Sequence, residues 1–76
     1  LIPGLTEKER DIMTLLLKSA RRRARKDDLR SRIWGDAKVD PKALDVHLAN
    51  LRRKLVPYGY AVRSDGEGWV ALGMDP

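Results

Sequence analysis

The sequence predicts a small, mainly α-helical domain in which three helices are followed by one β-hairpin. Apolar residues recur at helical spacing in three segments, the period becomes strand-like near residue 60, and the chain has 76 residues. A chain of this length forms one domain with a thin core, which buries roughly 60% of the surface of the unfolded chain. We expect a lead-in over residues 1–5, the domain over 6–72 and a tail over 73–76.

The first helix is predicted to span Thr6–Lys18. Thr6-x-x-Glu9 is a capping-box pattern, in which each side chain accepts a hydrogen bond from the other residue's backbone N–H. The apolar face consists of Ile12, Met13, Leu16 and Leu17. The following segment, 19–25, contains no Gly or Pro, so either the helix continues or a turn forms without the usual helix breakers.

A second helix is predicted over Lys26–Trp34, with Leu29 and Ile33 facing inward and Gly35 ending the helix. A third helix is predicted over Pro41–Leu55, because an Asp followed by Pro is a strong helix start. Its apolar stripe consists of Leu44, Leu48, Leu51 and Leu55.

The last segment predicts a β-hairpin over Tyr60–Leu72. Alternating residues flank the turn Asp65-Gly-Glu-Gly68, and a two-stranded hairpin of this kind needs packing support. Both tryptophans, Trp34 and Trp69, are expected in the core.

The third helix presents an unusual mixture on the face opposite its leucines. Small Val46 and Ala49 lie there among polar residues, which permits close approach to base edges, while Asn can bond adenine and Arg can bond guanine. An ordinary solvated helix with two incidental small residues fits the periodicity equally well. The residues assigned to base reading are Lys42, Val46, Ala49, Asn50 and Arg53.

Positive charge is concentrated in particular regions of the chain. The formal net charge is +5, and between Lys18 and Arg32 there are eight basic residues against two acidic ones. An excess of this kind favours an anionic partner. The arginine run can be a solvated face or turn, or it can contact phosphates. The residues assigned to phosphate contact are His47, Arg52, Lys54, Arg63, Arg21, Arg22, Arg23 and Arg25.

The residue inventory argues against catalysis. The chain has no Cys and one His, and it lacks a nucleophile elbow and a phosphate-binding loop. We therefore expect no catalytic residues, no metal, no cofactor and no small-molecule substrate. No apolar run approaches the roughly 20 residues of a membrane span, and no leader is recognisable, so we expect a cytoplasmic protein with no membrane partner.

Three segments resemble the OmpR/PhoB-type DNA-binding domain of bacterial response regulators. They are Leu44-Asp-Val-His-Leu-Ala-Asn-Leu-Arg-Arg-Lys-Leu55, Tyr58-Gly-Tyr60 and Gly66-Glu-Gly-Trp69. Leu5-Thr-Glu-Lys-Glu9 and Leu29-Arg-Ser-Arg-Ile-Trp-Gly35 are similar to that family's first and second helices.

The resemblance implies a winged helix-turn-helix that regulates bacterial transcription at the nucleoid, with the third helix in the major groove and the hairpin as wing. Family contact positions fall on Lys42, His47, Ala49, Asn50, Arg52, Arg63 and Asp65. The family's Pro-Gly turn after the first helix is replaced by arginines. Five residues before the first helix cannot hold the family's N-terminal four-stranded sheet, so the chain is either trimmed or a reduced member.

Double-stranded DNA is the expected partner, with RNA polymerase as a second candidate. Two other functions stay open: a module that docks on RNA polymerase or another regulator, and non-specific nucleic-acid binding through the basic patch.

Overall fold

The computed structural model describes residues 2–37, 39, 40 and 42–74, and within them it contains three helices and a three-stranded sheet. The elements in chain order are α1 (Glu7–Lys18), β1 (Arg23–Arg25), α2 (Lys26–Trp34), α3 (Lys42–Leu55), β2 (Tyr60–Ser64) and β3 (Trp69–Met74). Single 3₁₀ turns occupy Ala20–Arg22 and Val56–Tyr58. The predicted start of the third helix, Pro41, lies outside the described residues.

The helix ends follow the local signals in the sequence. Thr6 caps α1 with both hydrogen bonds of the capping box: Thr6 N–H donates to Glu9 Oε1 at 2.8 Å, and Glu9 N–H donates to Thr6 Oγ1 at 3.3 Å. Gly35 ends α2 with a φ of +62°, a conformation that favours glycine. Asp40 Oδ1 accepts a hydrogen bond from Lys42 N–H at 2.9 Å at the start of α3.

The predicted hairpin is part of a larger antiparallel sheet. The strand order is β1-β3-β2, with Ala24 opposite Val70 and Val62 opposite Leu72. The prediction of only two strands was therefore wrong, because Arg23–Arg25 pairs with the open edge of β3 and supplies the support that a lone hairpin lacks. The last strand continues to Met74, so two residues assigned to the tail belong to the sheet.

The core lies between the three helices and the inner face of the sheet. Its buried side chains are Ile12, Leu16, Leu29, Leu44, Leu48, Leu51, Leu55, Val62, Val70 and Leu72. The predicted apolar faces of the helices are confirmed except at Met13 and Ile33, which are half-buried against the core, and at Leu17, which is 53% exposed. The expectation that both tryptophans lie in the core was wrong: Trp34 is half-buried at its edge, and Trp69 is half-buried on the outer face of the sheet.

The turn between α1 and β1 is made by arginines rather than by glycine. Arg21 and Arg22 adopt φ values of +56° and +53°. The left-handed region costs an L-residue roughly 1–2 kcal/mol. The helix α1 ends at Ser19, whose backbone is extended, and the two left-handed arginines then turn the chain toward β1 without a Gly or Pro.

Leu51→Ala is expected to lower the free energy of unfolding by about 2–5 kcal/mol, because Leu51 has no exposed surface and its truncation leaves a cavity. Val46→Ala is the matched control, since 56% of Val46 is exposed, and its effect should stay within about 0.5 kcal/mol. Urea unfolding of both variants measures the difference, and equal curves would contradict the assignment of this core.

Arg21→Gly is expected to raise the free energy of unfolding by about 0.5–1 kcal/mol, because glycine adopts the left-handed conformation without steric cost but loses more backbone entropy on folding. Arg23→Gly is the control, since Arg23 is extended at φ −124° and glycine there should destabilise. Thermal unfolding distinguishes the two, and a destabilised Arg21→Gly would show that the turn carries no strain.

Candidate nucleic-acid interface

The outward face of α3 is exposed along the length of the helix. Val46 is 56% exposed, and Ala49 lies beside it one turn further along. Lys42 and Arg53 are exposed at the two ends of this face, and Asn50 is half-buried on its flank. We call these five residues, Lys42, Val46, Ala49, Asn50 and Arg53, the reading face. The structure therefore brings together all five residues assigned to base reading.

A side-chain hydrogen bond joins two residues of the reading face. Asn50 Oδ1 accepts from Arg53 Nη2 one turn along the helix. The Asn50 amide then has its NH₂ group available as a donor, while the Arg53 guanidinium is held beside Asn50. The pair therefore restricts the orientation of two side chains that could bond base edges.

Polar contacts fix the orientation of α3 against its neighbours. Lys26 Nζ at the start of α2 contacts Asp45 Oδ1 at 3.1 Å. On the same flank, Arg52 Nε donates to the backbone oxygen of Val62 on β2 at 2.9 Å. Arg52 stays exposed, so it can support the sheet and also approach a phosphate. No role was predicted for Lys26, because its contacts with Asp45 and with Gly68 of the wing join residues far apart in the chain.

His47 lies on the other flank of α3, next to Trp34 at the end of α2. The two rings are 5.8 Å apart between centroids, and Lys8 Nζ is 5.7 Å from the Trp34 ring. His47 is half-buried by this contact, as expected for a residue between the core and the surface. Its ring lies beside the reading face rather than within it.

Lys54 is engaged inside the domain. Its Nζ donates to Glu9 Oε1 at 2.7 Å and to the backbone oxygen of Gly4 at 3.1 Å. Glu9 is 1% exposed, so this ammonium group neutralises a buried carboxylate. The structure therefore places Lys54, which was assigned to phosphate contact, in a structural ion pair on the side of α3 toward α1.

Burial acts to raise the pKa of Glu9, but hydrogen bonds from Lys54 Nζ and Thr6 N–H outweigh it, and the pKa lies below its ordinary value of 4.5. A carboxyl group whose folded-state pKa is lowered contributes stability above the unfolded value. That stability is lost as the pH falls through the folded-state pKa.

Lys54→Met is expected to lower the free energy of unfolding by about 1–3 kcal/mol at pH 7, because it leaves a charged, hydrogen-bonded group without its partner. The difference in the free energy of unfolding between the parent protein and the variant should shrink as the pH falls below 4.5 and Glu9 becomes protonated. Urea titrations from pH 7 to pH 3 measure it, with exposed Lys42→Met as control. A difference that does not change with pH would contradict the role of this pair.

The wing turn is organised by Asp65. Its Oδ1 accepts hydrogen bonds from the backbone N–H groups of Glu67 at 2.9 Å and Trp69 at 3.0 Å. These two backbone hydrogen bonds, with the positive charge of Arg23 nearby, lower the pKa of the Asp65 carboxyl group. The acid at this position therefore shapes the turn, a role that its i, i+2 spacing to Glu67 could have suggested.

The arginine run is separated into a turn and a strand. Arg23 and Arg25 of β1 each place the guanidinium carbon 4.6 Å from the Trp69 ring centroid, and Arg23 Nη2 is 4.0 Å from Asp65 Oδ2. Strand pairing puts Arg63 on this same outer face, opposite Ala71. Arg21 and Arg22 lie in the preceding turn.

A cavity of about 530 Å³ lies beside this stack, between the end of α1, β1 and α2. We call it the arginine pocket; its basic and aromatic lining consists of Lys18, Arg21, Arg23, Arg25, Arg32 and Trp69. Arg32 lies about 120° around α2 from Lys26, the residue that contacts Asp45 on α3. The structure therefore groups three of the predicted phosphate contacts away from the reading face, with Lys18 and Arg32, which the sequence analysis did not assign.

Three helices, a sheet against them and an exposed helix between two basic flanks define a winged helix-turn-helix domain. The family model described as "Transcriptional regulatory protein, C terminal" matches residues 3–68. The chain belongs to this family, the OmpR/PhoB-type C-terminal DNA-binding domain of transcription regulators. Neither the curated proteins nor the solved structures contain a significant match to the chain.

Among the helices of the described residues, none has both the length and the apolar character that crossing a membrane requires.

Proposed function

We propose that this domain binds specific sites in double-stranded DNA and regulates bacterial transcription from the nucleoid, with α3 in the major groove. The observation that carries the proposal is the reading face, on which an exposed valine and an alanine lie among Lys, Asn and Arg side chains. Short outer side chains permit a helix to approach base edges and thymine methyl groups closely, and longer polar side chains can bond the base edges. Membership in a family of DNA-binding regulators supports this function.

Phosphate contacts are proposed on both sides of the reading face. Arg52 and His47 flank α3, and Arg63 lies on β2 of the adjoining wing. Contacts of this type position a protein on the duplex but do not read its sequence. The turn of this wing carries Asp65 and Glu67, two acidic residues that oppose a close approach to phosphates or to the minor groove. Sequence discrimination therefore rests on α3 rather than on the wing turn.

Asn50→Ala tests base reading directly. It should weaken binding to the preferred site by about 1–3 kcal/mol and change binding to random duplex much less, because it removes a base contact and not a charge. The preferred site is first selected from a random duplex library, and the two affinities are then measured at one salt concentration.

Arg52→Gln is the matched control, since it should weaken both duplexes alike and reduce the slope of log affinity against log salt by about one. Equal losses of affinity for both duplexes in Asn50→Ala would mean that Asn50 positions the protein on the duplex and does not read bases. Unchanged affinity for both duplexes in both variants would place the DNA interface elsewhere and favour docking on a protein such as RNA polymerase.

A further inference from the structure

The arginine pocket lies outside the reading face and has the properties of a binding site for a small ligand. Its volume of about 530 Å³ falls within the range of roughly 300–1,000 Å³ of small-molecule sites. Five cations converge on it from four segments: Lys18 on α1, Arg21 in the turn, Arg23 and Arg25 on β1, and Arg32 on α2. A solvated charged face would spread these groups along one element, whereas here they surround a concavity.

Negative charge in the lining is too small to neutralise these cations. Among the residues that the structure describes, Asp28 is the one acidic residue that lines the pocket. Within the described residues, Lys18, Arg21 and Arg32 form no ion pair, and Arg23 has one long contact of 4.0 Å with Asp65. The pocket therefore carries an excess of positive charge that an anion would neutralise.

Two of the guanidinium groups are already oriented. Arg23 and Arg25 each lie 4.6 Å from the Trp69 ring centroid. Stacking on an aromatic face leaves the guanidinium N–H groups in the plane available for bidentate bonds to oxyanions. Because the side chains are held before a ligand arrives, less conformational entropy is lost on binding.

We propose that the arginine pocket binds a small anion with consecutive phosphate groups, of the triphosphate class. A carboxylate would satisfy one guanidinium, whereas a triphosphate chain offers enough oxygens to engage cations on several sides at once. Duplex DNA is a poorer fit, because its phosphates lie on a convex surface and no described residue of α3 lines the pocket. Binding here is separate from the reading of bases by α3.

The backbone of the turn supports a role for the Arg21 side chain. A glycine at Arg21 would adopt the observed φ of +56° without strain. The arginine retains a positive charge at the rim of the pocket at the expense of local stability. Removal of this side chain should therefore have opposite effects on stability and on anion binding, which distinguishes a binding role from a structural one.

The test follows the amide and indole N–H signals of the ¹⁵N-labelled domain in NMR titrations with inorganic triphosphate and with ATP, at constant ionic strength. Saturable shifts are expected at the Trp69 indole and in residues 19–25 and 28–32. Inorganic triphosphate tests the phosphate chain alone, and tighter binding of ATP would show that the nucleoside adds contacts. Sulfate at equal ionic strength should bind about tenfold or more weakly, because one anionic group engages fewer cations.

Arg32→Gln and Arg21→Gly should each raise the Kd for triphosphate about tenfold, the loss expected for one charged hydrogen bond. Arg53→Gln removes an equal charge from the reading face and should change this Kd by less than about twofold. Three results would overturn the proposal: shifts that map to α3, equal losses in all three variants, or pocket variants that weaken duplex binding while triphosphate binding is unchanged.

Discussion

Four leucines on one side of α3 set the orientation of this helix, and the reading face depends on that orientation. Leu44, Leu51 and Leu55 have no exposed surface and Leu48 is 2% exposed. Because the side chains of a helix project at about 100° intervals, burying this stripe directs the opposite residues to solvent. A domain this small has little stability beyond its single core, so a rotated α3 has no alternative apolar surface to bury.

Some cations of this protein form ion pairs that join its elements, and others lie on exposed surfaces. Lys54 neutralises the buried Glu9, and Lys26 joins the start of α2 to Asp45 on α3. In these ion pairs the positive charge is neutralised, and the pairs hold the helices in position against one another. The cations on the reading face and in the arginine pocket lie outside these pairs, on surfaces that face in different directions. Net charge alone could not have shown this division, since it counts all the cations equally.

The sequence predicted those parts of the fold that local patterns determine. The stripe of α3, the capping box at Thr6 and the Gly35 helix end are each encoded within a few residues of their position, and the structure contains all three. The assignment of side chains to the outward face of α3 followed from the same periodicity, so the grouping of the reading face was predictable too. What those side chains contact was not, because it depends on groups far along the chain, as Lys54 and Glu9 show.

Other features depend on pairing between distant segments. Arg-Ala-Arg has no β-branched residue, and it becomes a strand because the edge of β3 is open beside it. The same register decides the position of Trp69. Val70 and Leu72 face the core, so alternation places Trp69 on the outer face, where the arginines of β1 cover it. A tryptophan is usually buried by apolar neighbours, and here cationic neighbours perform that role.

The turn after α1 brings β1 to the edge of β3. It must reverse the chain within a few residues so that β1 reaches β3, and left-handed residues accomplish this. Glycine would do so at lower cost, by about 0.5–1 kcal/mol at Arg21 after its greater loss of backbone entropy, which is a noticeable share of the stability of so small a domain. An arginine at position 21 adds a side chain that glycine lacks. This side chain lines the arginine pocket, which has an excess of positive charge. Backbone strain that persists in a small fold is explained most simply by a function of the side chain that imposes it.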